Sequence, residues 1–161
     1  MKNFRIFCLA AGLLGLVGAG GCSDNSDTTT GNLSVVRLTV DAPDTAKSGT
    51  NFGVEVRALN VGIAGIHDGH VTVTLPSPLT VISVQAPSDT SATFSNGASG
   101  GTVDWNLATL DSNSQSKLEI TTMGLLSPSE ATKKLTVVAT MTADGIKPGD
   151  AVAQDDVTLT P

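Results

Sequence analysis

Cysteine is scarce: the 161-residue chain has two, Cys8 and Cys22, and their spacing makes neither a thiolate metal site nor a redox pair. Aromatic residues amount to 3%, with one tryptophan and no tyrosine, too few for platforms that stack bases or sugars. Cations are few as well, 9 Lys and Arg against 15 Asp and Glu, for a formal charge of -6. No basic face can be assembled from that number, which excludes nucleic acid as a partner. No window shows a strong helical apolar period, and no G-x-S-x-G elbow occurs. With only 2 histidines available, a nucleophilic triad has little to recruit. The expectation is a protein that is not an enzyme and carries no cofactor.

What is present begins with a leader. Lys2 and Arg5 precede a stretch of apolar and small residues from Ile6 to Val17, followed by Gly18-Ala19-Gly20-Gly21-Cys22. A basic start, a short apolar centre and a run of small residues make a secretory signal peptide over residues 1–21. The apolar part is well short of the ~20 residues that span a bilayer. The small residues ahead of Cys22 resemble a bacterial lipobox. That resemblance implies diacylglycerol on the Cys22 thiol and cleavage that leaves the modified residue first. The alternative is ordinary cleavage after Ala19, with Val17 and Ala19 meeting the small-residue rule. Either cut removes Cys8, so the exported domain has no intrachain disulfide and must be held by its core. The expected location is the bacterial cell envelope, with a lipid anchor in a membrane, the outer membrane or cell surface being favoured. Ser23 to Asn32 is polar and acidic, so residues 22–32 read as a flexible tether.

From residue 33 to 161 short alternating runs are separated by Gly, Pro, Asn, Asp and Ser clusters. Val36, Leu38 and Val40 share one face of a first strand, and Phe52, Val54, Val56 and Ala58 one face of a second. Val71, Val73 and Leu75 follow, then a strand over Leu79 to Gln85 in which Val81, Ser83 and Gln85 oppose Thr80, Ile82 and Val84. Ser95 to Gly101 reads as a glycine-serine loop. Val103, Trp105 and Leu107 point inward on the next strand, then Leu118 and Ile120, and then Leu135, Val137, Ala139 and Met141. Val157 and Leu159 close the chain. The fold class is all-β: an antiparallel immunoglobulin-like β-sandwich of about seven to nine strands.

The order of these pieces resembles a conserved surface-protein repeat, the family known as domain of unknown function eleven. The resemblance rests on Pro43, the Gly49-Thr50 turn, the strand from Phe52 to Leu59 and Asn60-Val61-Gly62. It continues through Val71-Thr72-Val73-Thr74-Leu75-Pro76, the strand from Leu79 to Val84, Trp105 to Leu110, and Leu118 to Ile120. It covers roughly residues 33 to 160, and it implies a cell-surface β-sandwich without enzyme activity or cofactor.

Two clusters are candidate sites. His67-Asp68-Gly69-His70 holds both histidines with a carboxylate between them, a set that can ligate Zn²⁺ or Cu²⁺. The other reading is a turn bent at Asp68-Gly69, with His70 opening the next strand. Full extension would send His67 and His70 to opposite faces. Asp144, Asp150, Asp155 and Asp156 crowd the C-terminal segment and can chelate Ca²⁺ or form a solvated acidic loop. Trp105 is a core residue on this reading, with ligand stacking as the alternative. Function is then that of a structural or protein-interaction module at the envelope, with a protein partner. The alternative is a module that binds a metal or small ligand through the His67 loop or the acidic segment.

Overall fold

The computed structural model describes residues 35–161, all within one compact unit. The expected signal peptide, Cys22 and the expected tether lie outside the described residues. Ten strands run in order: β1 (Val36–Asp41), β2 (Thr45–Lys47), β3 (Asn51–Asn60), β4 (Ile66–Pro76), β5 (Leu79–Gln85), β6 (Thr90–Gly97), β7 (Gly100–Leu110), β8 (Gln115–Gly124), β9 (Lys133–Ala143) and β10 (Ile146–Thr160). They form a 4-stranded sheet, β1-β3-β8-β5, and a 6-stranded sheet, β2-β10-β9-β4-β7-β6. Among the described residues every pairing is antiparallel except the short one between β10 and β2. The expected β-sandwich is the observed fold, with more strands than the sequence outlines.

Pleating decides what goes inside. Val54 opposes Ile120 and Val56 opposes Leu118 in the smaller sheet. In the larger sheet Val71 lies between Trp105 and Met141. All seven are buried, and Leu75, Leu107, Val137, Val157 and Leu159 extend the same core. Each such side chain contributes about 1.5–3 kcal/mol by leaving water, so the core needs no disulfide. Trp105 is fully buried, which makes it a packing residue.

Several local departures from simple alternation shape the outside. The pairing of β5 with β8 shifts between Val81 and Ser83. Ile82, next to buried Val81, points outward and is 44% exposed, and the bulge leaves Ser83 outward as well and brings Val84 partly against the core. The expected loop over Ser95 to Gly101 is instead the end of β6, a tight turn and the start of β7. The turn needs Gly100, whose φ is +119 and where a Cβ would stand 2.0 Å from the Leu75 carbonyl oxygen.

One side chain closes each flank of the sandwich. On one side the Asn96 amide pairs with the Val81 backbone like a short piece of strand. Its Oδ1 accepts from the Val81 N–H at 2.8 Å, and its Nδ2 donates to the Val81 carbonyl at 2.8 Å. On the other side Asp155, on the inner side of β10, accepts the Ala42 N–H through Oδ2 at 2.9 Å. Ala42 sits where the chain leaves β1 in one sheet to enter β2 in the other, so Asp155 fixes that crossover.

Candidate functional site

The His67–His70 segment lies within β4, where His67 pairs with Thr109, Gly69 with Leu107 and His70 with Asn106. It is not the turn that its sequence suggests. Asp68 takes a left-handed conformation, φ 51, which an Asp side chain tolerates better than most. That single residue resets the pleat. Ile66 and Val71 both face inward although five positions apart, and His67 and His70 both end on the outer side of the sheet. Gly69 lets the strand pass close to the core, for a Cβ there would stand 2.8 Å from Met141 Cε and 3.3 Å from Leu107 Cβ.

Sharing an outer face does not make the two histidines a metal centre here. His70 Nε2 lies 3.8 Å from Asp104 Oδ1, and that oxygen also accepts from Thr72 Oγ1 at 3.2 Å. Among the described residues no group of three His, Cys, Asp or Glu converges. What the segment does supply is Asp68, which helps line a shallow open cleft of about 520 Å³ with Ser88, Asp89, Thr90, Ser91, Asn106 and Ala108. Asp68 and Asp89 have no hydrogen-bond or ion-pair partner among the described residues. The lining offers carboxylate, hydroxyl and amide oxygens and no cation, which suits a small cationic or polyhydroxylated ligand. The sequence does not single out Ser88, Asp89 and Asn106 as site residues, because β4–β7 pairing brings Asn106 to Asp68 and the β6–β7 hairpin brings Ser88 and Asp89.

Among the described residues the C-terminal acidic side chains do not converge either. Asp155 is engaged with Ala42, and its Oδ1 accepts the N–H of Asp156 at 2.9 Å. Asp156 accepts Thr136 Oγ1 at 2.6 Å and pairs with Lys134 Nζ at 2.8 Å. Asp144 is exposed, and the side chain of Asp150 lies outside the described residues. Lys134, and then Thr136, hold the Asp156 carboxyl below its ordinary range. A depressed folded value means stabilisation that is complete above the unfolded carboxyl value and lost as pH falls through the folded one. The pair is substantially exposed, so the effect on stability is small. Lys134→Ala is expected to move the Asp156 titration upward, which carboxyl-carbon NMR over acidic pH will show.

The second candidate is a sheet edge. β6 is the last strand of the larger sheet, and from Ser91 to Ser95 its backbone has no partner beyond β7 among the described residues. Its sequence, TSATFSNG, contains neither a charge nor a proline. Phe94 sits opposite Val103 at this flank and is 42% exposed. The adjacent edge strand β5, LTVISVQ, is also uncharged and bears exposed Ile82. The opposite flank differs, since β1 carries Arg37 and Asp41, β2 carries Lys47, and β10 carries Asp155 and Asp156. Charge of that kind is the usual guard against unwanted strand pairing. The outer face of the smaller sheet is charged too, through Lys117 with Glu119 and Glu55, and Arg57 with Glu55.

No protein-family model and no curated protein matches the chain. Solved structures do match in fold. The CARDB domain of the PF1109 protein from Pyrococcus furiosus, solved with di-metal ions, has a TM-score of 0.55 at 16% identity over 81% of this chain and 97% of that one. A cohesin module from a Clostridium perfringens family 33 glycoside hydrolase has a TM-score of 0.58 at 11% identity over 79% of this chain and 98% of that one. A non-cellulosomal cohesin from Archaeoglobus fulgidus has a TM-score of 0.50 at 16% identity, covering 80% and 93%. At such identities the likeness is one of fold.

Proposed function

We propose that this chain is a non-enzymatic interaction module, exported to the bacterial envelope and held there by a lipid on Cys22, which takes an extended segment of a protein partner on the edge of β6. The observation that carries this reading is β6 itself, an eight-residue edge strand without charge or proline. An added strand gains main-chain hydrogen bonds from such an edge and side-chain specificity from alternate positions. Phe94 and Ile82 supply apolar contact beside it. The resemblance to a surface-protein repeat and the likeness in fold to CARDB and cohesin domains support an interaction module over an enzyme.

The test places a photoreactive residue at Phe94 and, as a control, at Glu119 on the outer face of the smaller sheet, in intact cells. A discrete adduct from position 94 and none from 119 is expected. The pair Thr93→Lys and Ser95→Lys, both at exposed positions, is expected to weaken capture at position 94 by about tenfold or more while leaving folding intact. Equal adducts from both positions, or none, contradict the reading.

The cleft at Asp68 supports a second reading, the binding of a small ligand or divalent cation through Asp68, Asp89 and Asn106. Calorimetry with Ca²⁺, Zn²⁺ and Cu²⁺ tests its metal form. Heat that disappears in the Asp68→Asn, Asp89→Asn double variant supports it, and no heat with any of the three removes it.

A further inference from the structure

Ile63 is 81% exposed, more than any other large apolar side chain among the described residues. It stands at the tip of Asn60-Val61-Gly62-Ile63-Ala64-Gly65, a segment with no charged residue, beside Val61 at 41% and Val35 at 46%. The tip is braced. Buried Asn60 donates from Nδ2 to the Ala64 carbonyl at 2.8 Å and the Leu110 carbonyl at 2.9 Å, and its Oδ1 accepts the Gly62 N–H at 2.9 Å. Ser112 Oγ donates to the Gly62 carbonyl at 2.6 Å. A side chain presented this way loses little conformational freedom on contact, and exposed apolar patches on braced loops mark surfaces that something covers.

The position of the tip says what covers it. The Val61 N–H donates to the Val35 carbonyl at 2.8 Å, so the chain enters the fold beside this loop. Only residues 23–34 separate Val35 from Cys22, a reach of at most roughly 45 Å. The C-terminal end lies at the other pole. Thr160 accepts the Ser48 N–H at 2.7 Å, close to the start of β3, whose length of about 33 Å separates the two ends. We propose that the Val61–Ile63 tip rests on the lipid surface bearing the Cys22 anchor, so that the entry pole faces the bilayer and the Thr160 pole faces away. The inference rests on the anchored reading proposed above. The chain's formal charge of -6, which becomes more negative once the leader's Lys2 and Arg5 are removed, and exposed Asp111 near the tip favour a zwitterionic surface over an anionic one.

The test uses the full exported protein, purified with its native N-terminus and reconstituted into phosphatidylethanolamine–phosphatidylcholine vesicles. An environment-sensitive fluorophore is placed at Ile63→Cys and, separately, at Leu125→Cys, which is exposed and near the far pole. Mass spectrometry of the N-terminal peptide accompanies it. The expected result is an acylated peptide, with emission from the Ile63→Cys label shifted to the blue and largely quenched by nitroxide lipid. The Leu125→Cys label should show neither effect. An acylated peptide with an unquenched label at Ile63→Cys, or equal quenching at both positions, overturns this inference and leaves the anchor standing. An unacylated peptide overturns the anchor and this inference with it.

Discussion

Trp105→Ala is expected to cost about 3–5 kcal/mol of folding stability, a large part of the 5–15 kcal/mol that a domain of this kind has in total. The indole is fully buried in the larger sheet, opposite Val71 on one side and Ala92 on the other. Its Nε1 donates to Thr90 Oγ1 at 3.0 Å. Removing the ring opens a cavity that rigid neighbouring strands cannot close, and that explains the size of the loss. Thr90 also donates to the Pro87 carbonyl at 3.0 Å, so its hydroxyl keeps a partner in the variant. Trp105→Phe is therefore expected to recover well over half of the loss. Urea unfolding followed by circular dichroism measures both variants, since each lacks the chain's single Trp. Equal losses for Ala and Phe would mean that the hydrogen bond, rather than volume, is decisive.

Asn60→Ala is expected to be comparably severe, about 3–5 kcal/mol, for a different reason. It strips partners from the Ala64 and Leu110 carbonyls and the Gly62 N–H, and each buried orphan costs about 1–3 kcal/mol. Asn60→Asp separates this account from one based on shape. The carboxylate has nearly the same outline but donates nothing and faces two carbonyl oxygens in a fully buried site. At neutral pH it is expected to be at least as destabilising as alanine. Its neutral form is favoured in the fold, which raises its folded pKa above the unfolded one. The deficit should then shrink as pH falls through the raised value and the acid regains a proton to donate. A pH-independent deficit for Asn60→Asp would count against the role given to the Asn60 amide.

How much of this was legible in the sequence follows from where burial is one-sided. β3, the second half of β4, β7 as far as Leu107, β8 and β9 announce themselves because one face of each meets the core, and the period of two is unbroken there. β6 does not, because an edge strand buries little and TSATFSNG shows no hydrophobic alternation. Only the end of β10 is legible, since Pro148, Gly149 and Asp150 interrupt its start. The bulge at Val81 and the left-handed Asp68 each shift the pleat by one position. A single residue off the regular pattern leaves no periodic trace, so Val84 parts from the face of Ile82 and the two histidines come to share one. The cleft was invisible for another reason: Asp68, Asp89 and Asn106 come together only through strand pairing between distant segments. The expected leader lies outside the described residues, and its reading rests on local order and composition alone.

The same physics separates the guarded flank from the open one. Asp155 ties down the crossover at Ala42 and places charge among the strands there. Asn96 secures β5 to β6 at a single point, Val81, and leaves Ser91 to Ser95 of the edge unpaired. An acidic chain repels acidic partners over much of its surface, and the uncharged edge is where an extended segment meets least resistance.

Amide hydrogen exchange, read residue by residue on the protein alone and on its crosslinked adduct, tests strand addition at β6 most directly. The prediction is that among Ser91 to Ser95 the amides facing away from β7 exchange fast in the free protein and slow by orders of magnitude in the adduct, while those of β7 and β9 are slow in both. Outward-facing β6 amides that are already protected in the free protein, or that exchange equally fast in the adduct, would contradict it.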